Sequence, residues 1–179
     1  STLHFSLKLP DVAITSVESK PDFLQTTDGY LQEFGNSKVA LVHAPLSWKR
    51  DGIRAFYTYD LPAWAQDTFD AVLVDGPVES ETVRGREGAL YACFGMLRPG
   101  ALIFLDDYHR PGSKRIVKNW LATYGAALEL QPSRHDDLAV LEKKATSPGR
   151  LLPGFPAVLD NYSSIAMLLA RKARLSLTR

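Results

Sequence analysis

Two apolar runs of the sequence end in acidic residues. Residues 70–75 (DAVLVD) end at Asp75, and residues 101–106 (ALIFLD) end at Asp106, which Asp107 follows directly. Carboxylates in such places can accept hydrogen bonds from hydroxyl groups, hold a cationic ligand or bind a hard metal ion. The alternative interpretation is that each aspartate caps the turn or helix that comes next.

Two earlier apolar runs also end in a polar residue. Residues 12–18 (VAITSVE) end at Glu18, and residues 38–43 (KVALVH) end at His43. Continuous apolar runs of this kind are typical of strands that are buried on both faces of a parallel sheet. Because ligands of such sheets bind beyond the carboxyl ends of the strands, we expect these polar ends to gather along one edge.

Helical patterns separate these runs and position their ends. The helices are predicted at residues 21–35, 85–97 and 112–125, and each is followed by or ends in a glycine-containing turn. Two more strands are predicted at 127–131 and 138–143, and the short link between them favours antiparallel neighbours. The alternation predicts an α/β fold with a doubly wound, mainly parallel sheet and an antiparallel last strand.

Composition excludes several classes of protein. The 179 residues are 45% hydrophobic and 23% charged, which is typical of a folded domain. The net charge of +1 gives no electrostatic case for a nucleic-acid partner. A single cysteine, Cys93, cannot form an internal disulfide, so a reducing, cytoplasmic compartment is expected. No apolar run reaches the ~18 residues of a membrane span.

The last part of the sequence differs from the rest. Residues 144–160 contain TSPGRLLPGFP, which predicts a Pro/Gly linker. Residues 161–179 predict an amphipathic helix with a basic end. Its apolar residues are expected to pack on the domain, with a homodimer contact or a membrane surface as the alternatives.

In their order, these segments resemble the class I S-adenosylmethionine-dependent methyltransferases. The resemblance rests on ITSVESKPDFL, VALVHAPL, FDAVLVDGP and MLRPGALIFLDDYHR, and on LELQPSRHDDLAVLEK as the closing antiparallel strands. It covers residues 1–143 as one domain. It implies methyl transfer from S-adenosylmethionine, most simply to the oxygen of a small-molecule or sugar-like acceptor.

The family pattern opens with a strand and a glycine-rich turn, and the chain starts differently. Ser1 and Thr2 resemble the tail of that turn. The resemblance therefore implies that the first strand and its glycines lie upstream, and that the fragment alone can be inactive. It also assigns the cofactor contacts, which are Ser1, Thr2, Glu18 for the ribose hydroxyls, His43 and Ala44 near the adenine, and Asp75 towards the methionine end or the acceptor.

A metal site is implied by the acidic residues. In metal-dependent O-methyltransferases of this fold, an acid after the fourth strand and an acidic pair after the fifth hold a divalent cation. Asp75, Asp106 and Asp107 stand at similar places, which implies Mg²⁺, although the lysine usual after the first of these acids is absent from VDGPVES. Without a metal, Asp107 or His109 is the expected general base.

Two other observations leave alternatives open. Arg84 and Arg86 stand where a helix begins, and a basic side chain there needs an acidic partner, on a ligand or on a nearby glutamate. A Rossmann-type dehydrogenase would also use Glu18 for ribose, but the acids after two later strands do not favour it. A third hypothesis is a non-catalytic binding module with the methyltransferase fold.

Overall fold

The chain consists of two compact units, one covering residues up to Ser47 and one beginning at Trp48. The computed structural model describes residues 2–34, 38–51, 54–78, 81–144 and 166. Ser1 and nearly all of the predicted linker and C-terminal helix lie outside these residues. In the described part of the chain, no helix combines the length and the apolarity that crossing a membrane requires.

The first unit alternates two helices with two strands. Its elements are α1 (Thr2–Lys8), β1 (Ile14–Glu18), α2 (Pro21–Phe34) and β2 (Val39–His43). The strands pair in parallel, in a register that sets Ile14 beside Val39 and Glu18 beside His43. Both strands stop within a residue of their predicted ends, so the two polar strand ends are direct neighbours.

The second unit contains the remaining strands and helices. Its elements are β3 (Leu46–Asp51), whose first two residues belong to the first unit, β4 (Arg54–Tyr59), β5 (Phe69–Val74), α3 (Gly85–Cys93), β6 (Leu97–Leu105), α4 (Pro111–Tyr124), β7 (Leu128–Gln131) and β8 (Ala139–Lys143). β3 and β4 form a two-stranded sheet, and the other strands form a four-stranded sheet in the order β5-β6-β8-β7.

Strand directions in the four-stranded sheet agree with the sequence. β5 and β6 are parallel, with Val74 beside Leu105. β8 runs antiparallel to β6, with Ala139 beside Leu105, and antiparallel to β7. This arrangement confirms the α/β class and the antiparallel last strand. It also places the carboxyl ends of β5 and β6 and the link between β7 and β8 at one edge of the sheet.

The core of the second unit lies between this sheet and helices α3 and α4. Ile103, Leu105 and Leu141 are fully buried there, together with Leu90 and Trp120 of the two helices. Burial of such side chains is the main stabilising contribution to the fold, about 1.5–3 kcal/mol for each one. The strands are not buried equally on both faces as predicted, since Leu73 and Leu102 alternate with buried residues and stay about 40% and 37% exposed.

The segment between β2 and β5 was not predicted to form strands, and it contains β3 and β4. Alternate residues of β4 are buried, namely Arg54, Phe56 and Thr58. The close approach of α3 to this strand requires a glycine, because a Cβ on Gly88 would lie 2.9 Å from Cβ of Phe56. The period-two pattern in RAFYTY was the sequence signal for this strand.

A buried polar network joins α3 to α4 and β4 around Glu87, which is 1% exposed. Its Oε2 accepts hydrogen bonds from Nε of Arg84 at 2.7 Å and Nδ2 of Asn119 at 3.1 Å, and its Oε1 accepts one from the Tyr91 hydroxyl at 3.0 Å. Nη1 of Arg54 donates to the same Tyr91 hydroxyl at 3.0 Å. The buried carboxylate is therefore compensated by charge and by hydrogen bonds.

Cys93, at the end of α3, is expected to be unreactive in the folded protein. Its side chain is buried, and burial raises the pKa of its thiol to about 12, which suppresses the thiolate that reacts with labelling reagents. We expect no labelling by a thiol-specific disulfide reagent under native conditions and one labelled thiol per chain in denaturant. Rapid labelling of the native protein would contradict this burial.

Candidate functional site

Glu18 is fixed at the carboxyl end of β1 by the turn that leads to α2. Its Oε1 accepts hydrogen bonds from the backbone N–H groups of Ser19 at 2.7 Å and Lys20 at 3.0 Å. Its carbonyl oxygen accepts one from the N–H of Ala44 at 2.9 Å, and Ala44 is fully buried. Capping of the turn thus uses one carboxylate oxygen, while Oε2 makes no hydrogen bond within the described residues.

The other predicted cofactor residues of the first unit lie along the same two strands. His43 places Nε2 at 3.2 Å from the carbonyl oxygen of Ser19, so its ring lies against the turn that holds Glu18. The Thr2 hydroxyl is 2.8 Å from that of Ser16 in β1. Glu18, His43 and Ala44 are therefore brought together at neighbouring strand ends, and their roles as ligand contacts stay predictions.

Two aspartates of the second unit, Asp75 and Asp107, contact a buried arginine. Nη1 of Arg86 lies 2.9 Å from Oδ2 of Asp107, and its Nη2 lies 3.7 Å from Oδ1 of Asp75. Oδ1 of Asp107 is 3.0 Å from Nη2 of Arg110. The Arg86 side chain is only 9% exposed. We call Asp75, Arg86, Asp106 and Asp107 the carboxylate cluster, in which Arg86 is the central cation.

The backbone of Asp107 adopts a conformation that supports this arrangement. Its φ of 58° is left-handed, which is uncommon for a residue other than glycine. Oδ1 of Asp106 accepts a hydrogen bond from the Asp107 N–H at 2.9 Å, and the Asp107 carbonyl accepts one from the Arg110 N–H at 3.0 Å. These contacts offset the backbone strain and direct the Asp107 carboxylate at Arg86.

The carboxyl group of Asp75 is affected by its partial burial and by its charged neighbours. Partial burial raises the pKa of Asp75 above its ordinary value, the charge of Asp106 and a hydrogen bond to it add to the rise, and the Arg86 guanidinium opposes it. The residue that follows is constrained as well, because a Cβ on Gly76 would lie 2.5 Å from the Tyr59 hydroxyl oxygen. The glycine of the Asp-Gly-Pro motif therefore makes room for Tyr59.

The carboxylate cluster does not fit a magnesium ion. Both oxygens of Asp107 already contact arginines, and Arg86 supplies positive charge between Asp107 and Asp75. Across the described ranges, no group of three His, Cys, Asp or Glu side chains is arranged to hold a metal ion. The structure thus gives no support to the predicted Mg²⁺ site at Asp75, Asp106 and Asp107, and no step is assigned to a metal.

His109 follows the cluster along the chain and contacts a residue that the sequence did not indicate. Its Nδ1 lies 2.8 Å from Oδ1 of Asp137, in the link between β7 and β8. The backbone N–H of Tyr108 also donates to the Asp137 carbonyl at 2.8 Å. Of the two predicted bases, Asp107 has both oxygens in contact with arginines, whereas within the described residues Nε2 of His109 makes no hydrogen bond.

The partners of the arginines also differ from those expected. Arg84 pairs with Glu87, one of its expected glutamate neighbours, but Arg86 reaches the aspartates that follow β5 and β6. The signal for this contact was present, because a basic residue that begins the helix after β5 lies at the same sheet edge as those strand ends. Nothing local indicated Asp137, which reaches His109 only through the pairing of β8 with β6.

Comparison with known proteins identifies the fold. No protein-family model matches the sequence, and no curated protein sequence matches it. A predicted O-methyltransferase, Atu636 from Agrobacterium tumefaciens, matches at 14% identity and a TM-score of 0.51, over 84% of this chain and 71% of that one. Two matches have lower TM-scores. The [4+2]-cyclase SpnF matches at 16% identity and a TM-score of 0.49, over 73% of this chain. A SAM-dependent methyltransferase from Methanosarcina mazei matches at 12% identity and a TM-score of 0.36, over 93% of this chain and 72% of that one.

The match to the O-methyltransferase shows the fold and not the activity, since the identity is only 14%. The chain spans 47% of the length of the cyclase. The antiparallel closing strands of the second unit, β7 and β8, are those that the resemblance predicted. The fold of this chain is that of the class I methyltransferases.

Proposed function

We propose that the protein binds S-adenosylmethionine and transfers its methyl group to the oxygen of a small-molecule acceptor. The observation that carries the proposal is the Glu18 carboxylate, which is fixed at the carboxyl end of β1 in a chain with the class I methyltransferase fold. Ligands of open α/β sheets bind at such strand ends. We also propose that the protein is cytoplasmic and has no nucleic-acid partner. Dimerisation through residues 161–179 is part of the same proposal.

The geometry of Glu18 suits the two hydroxyl groups of a ribose. Two backbone N–H groups hold Oε1, so the carboxylate does not have to be ordered when a ligand arrives. Hydrogen bonds from a diol to an ionised carboxylate are charge-assisted and stronger than neutral ones. His43 and the buried Ala44 lie at the neighbouring strand end, where we propose that the adenine binds.

The second unit is proposed to supply the acceptor chemistry. S-adenosylmethionine provides a methyl group on a positively charged sulfur. As the acceptor oxygen forms its bond to the methyl carbon, the carbon–sulfur bond breaks and its electron pair stays on sulfur, which becomes a neutral thioether. His109 is the proposed base, and its Nε2 takes the acceptor's proton. The resemblance assigns Asp75 to the cofactor's methionine end or to the acceptor, and we propose that Arg86 holds the Asp107 carboxylate in place.

Calorimetric titration of S-adenosylhomocysteine into the complete protein tests the proposal. We expect binding to the wild type and binding at least about tenfold weaker in Glu18→Gln, because the variant keeps an oxygen for the two backbone N–H groups but loses the charge that strengthens the ribose contacts. Glu33→Gln is the matched control, since Glu33 is an exposed glutamate of α2.

The two negative outcomes have different meanings. Absence of binding to the wild-type protein would refute S-adenosylmethionine as its cofactor and favour the hypothesis of a non-catalytic module. Equal binding by the wild type and Glu18→Gln would preserve the cofactor and refute the role of Glu18.

A further inference from the structure

A pocket of about 450 Å³ lies in the second unit, between the segment after β6 and the link from β7 to β8. This volume is in the range of sites for small organic molecules. Its lining combines the apolar or aromatic residues Tyr108, Leu130, Leu138 and Ala139 with six polar residues, which are His109, Lys114, Gln131, Ser133, His135 and Asp136. In sites for small molecules, such polar groups fix the orientation of the ligand.

The register of the sheet places this pocket at the edge where β5 and β6 end and β8 begins. Val74 pairs with Leu105, and Leu105 pairs with Ala139, so β8 starts where β5 and β6 end. The pocket therefore opens at the same edge as Asp75 and Asp107, which follow those strands. All of the residues that line it belong to the second unit and follow Asp107 in the sequence.

The contact between His109 and Asp137 fixes the chemistry of the imidazole. A carboxylate at 2.8 Å from Nδ1 accepts a hydrogen bond from a protonated Nδ1, and this leaves Nε2 of the neutral ring as the acceptor of protons. The hydrogen bond from Tyr108 to the Asp137 carbonyl ties the two segments together on either side of that contact. Asp137 therefore controls both the tautomer and the direction of the ring.

We propose that this pocket is the acceptor site, that Asp137 is the positioning residue for His109 as its general base, and that the acceptor is a phenol. The inference rests on the proposed methyl transfer. The carboxylate cluster does not fit a metal that would acidify a hydroxyl group, so the acceptor's own acidity has to suffice. The pKa of a phenol, about 10 as in tyrosine, is far closer to that of an imidazole than the pKa of an alkyl hydroxyl is, so an imidazole base is effective with a phenol.

Imidazole ¹⁵N NMR on the complete protein tests the role of Asp137 without any turnover. We expect His109 to be the Nδ1–H tautomer in the wild type and to lose this preference in Asp137→Ala, while His4 in the first unit is unchanged. Because the Asp137 side chain is 77% exposed, its removal is not expected to unfold the protein. An Nε2–H tautomer in the wild type, or no change in the variant, would overturn the assignment.

Methyl transfer to two probe acceptors tests the acceptor class. With S-adenosylmethionine, we expect 4-methylphenol, whose pKa is about 10 as in tyrosine, to be methylated and methyl glucoside not. Asp137→Ala should lower kcat for the phenol about 10- to 100-fold with KM little changed, Asp137→Glu should restore part of it, and the exposed Asp70→Ala is the control. Methylation of the glucoside alone, or of neither probe by a protein that binds S-adenosylhomocysteine, would overturn the inference and leave the cofactor proposal standing. Failure to bind S-adenosylhomocysteine would instead refute the proposed function itself.

Discussion

Replacement of Glu87 by alanine is expected to destabilise the second unit by about 3–5 kcal/mol, the usual cost of removing one partner from a buried ion pair. Glu87 is 1% exposed, and its loss leaves the Arg84 guanidinium in a buried position without its carboxylate. It also removes the acceptor for Nδ2 of Asn119 and for one hydrogen bond of the Tyr91 hydroxyl. Urea denaturation measures this change as a shift of the midpoint at constant slope.

Tryptophan fluorescence is the appropriate signal for this measurement. The three tryptophans of the chain, Trp48, Trp64 and Trp120, all belong to the second unit. Nε1 of Trp120 donates a hydrogen bond to the Glu87 carbonyl at 3.0 Å, so its emission also reports on this network. The control is Glu129→Ala, an exposed glutamate, which should leave the midpoint almost unchanged. A similar small shift for Glu87→Ala would show that the network is not stabilising.

Most of the fold could be predicted from the sequence because its signals are local. Apolar runs that end in a charged residue, such as the one before Glu18, predict strand position and strand end together. β4 was missed because two of its three inward positions are polar, namely Arg54 and Thr58, which a search for apolar runs passes over. Their burial depends on partners in α3 and α4, including the Tyr91 hydroxyl and the Gly85 carbonyl, and these are defined only by the tertiary fold.

The candidate site was less predictable for the same reason. The sequence placed Asp75, Asp106 and Asp107 at one edge, and the structure agrees. Whether three carboxylates hold a metal or an arginine depends on a side chain that enters from α3, and residue spacing does not contain that information. The S-adenosylmethionine contacts and the catalytic role of His109 stay predictions that the experiments above test.

Replacement of Arg86 by methionine is expected to make the stability of the second unit depend more strongly on pH. At pH 7.5 the loss should be about 3 kcal/mol, at the lower end for a broken buried pair, because the partner Asp107 side chain is 21% exposed and Asp75 is 49% exposed. Arg86 lowers the pKa of Asp75, so its removal raises that pKa further above the ordinary value in the folded state. Urea midpoints at pH 7.5, 6.0 and 4.5 measure the effect.

The sign of the pH dependence follows from linkage. A carboxyl group whose pKa is higher in the folded than in the unfolded state contributes stability below its unfolded pKa, about 3.9, and this contribution is lost as pH rises through the folded pKa. The deficit of Arg86→Met relative to the wild type should therefore be largest at pH 7.5 and smaller at pH 4.5. Arg98→Met, which removes an exposed ion pair with Asp70, should change stability by less than about 1 kcal/mol at either pH.

A second substitution separates charge compensation from packing. If the Arg86→Met defect comes from uncompensated carboxylates, adding Asp75→Asn removes one of them and should recover part of the loss at pH 7.5. At pH 4.5, where Asp75 of the single variant is already partly protonated, the same addition should recover less. Equal recovery at both pH values, or a pH-independent deficit, would show that Arg86 acts through its packing, and the carboxylate cluster would not need its cation.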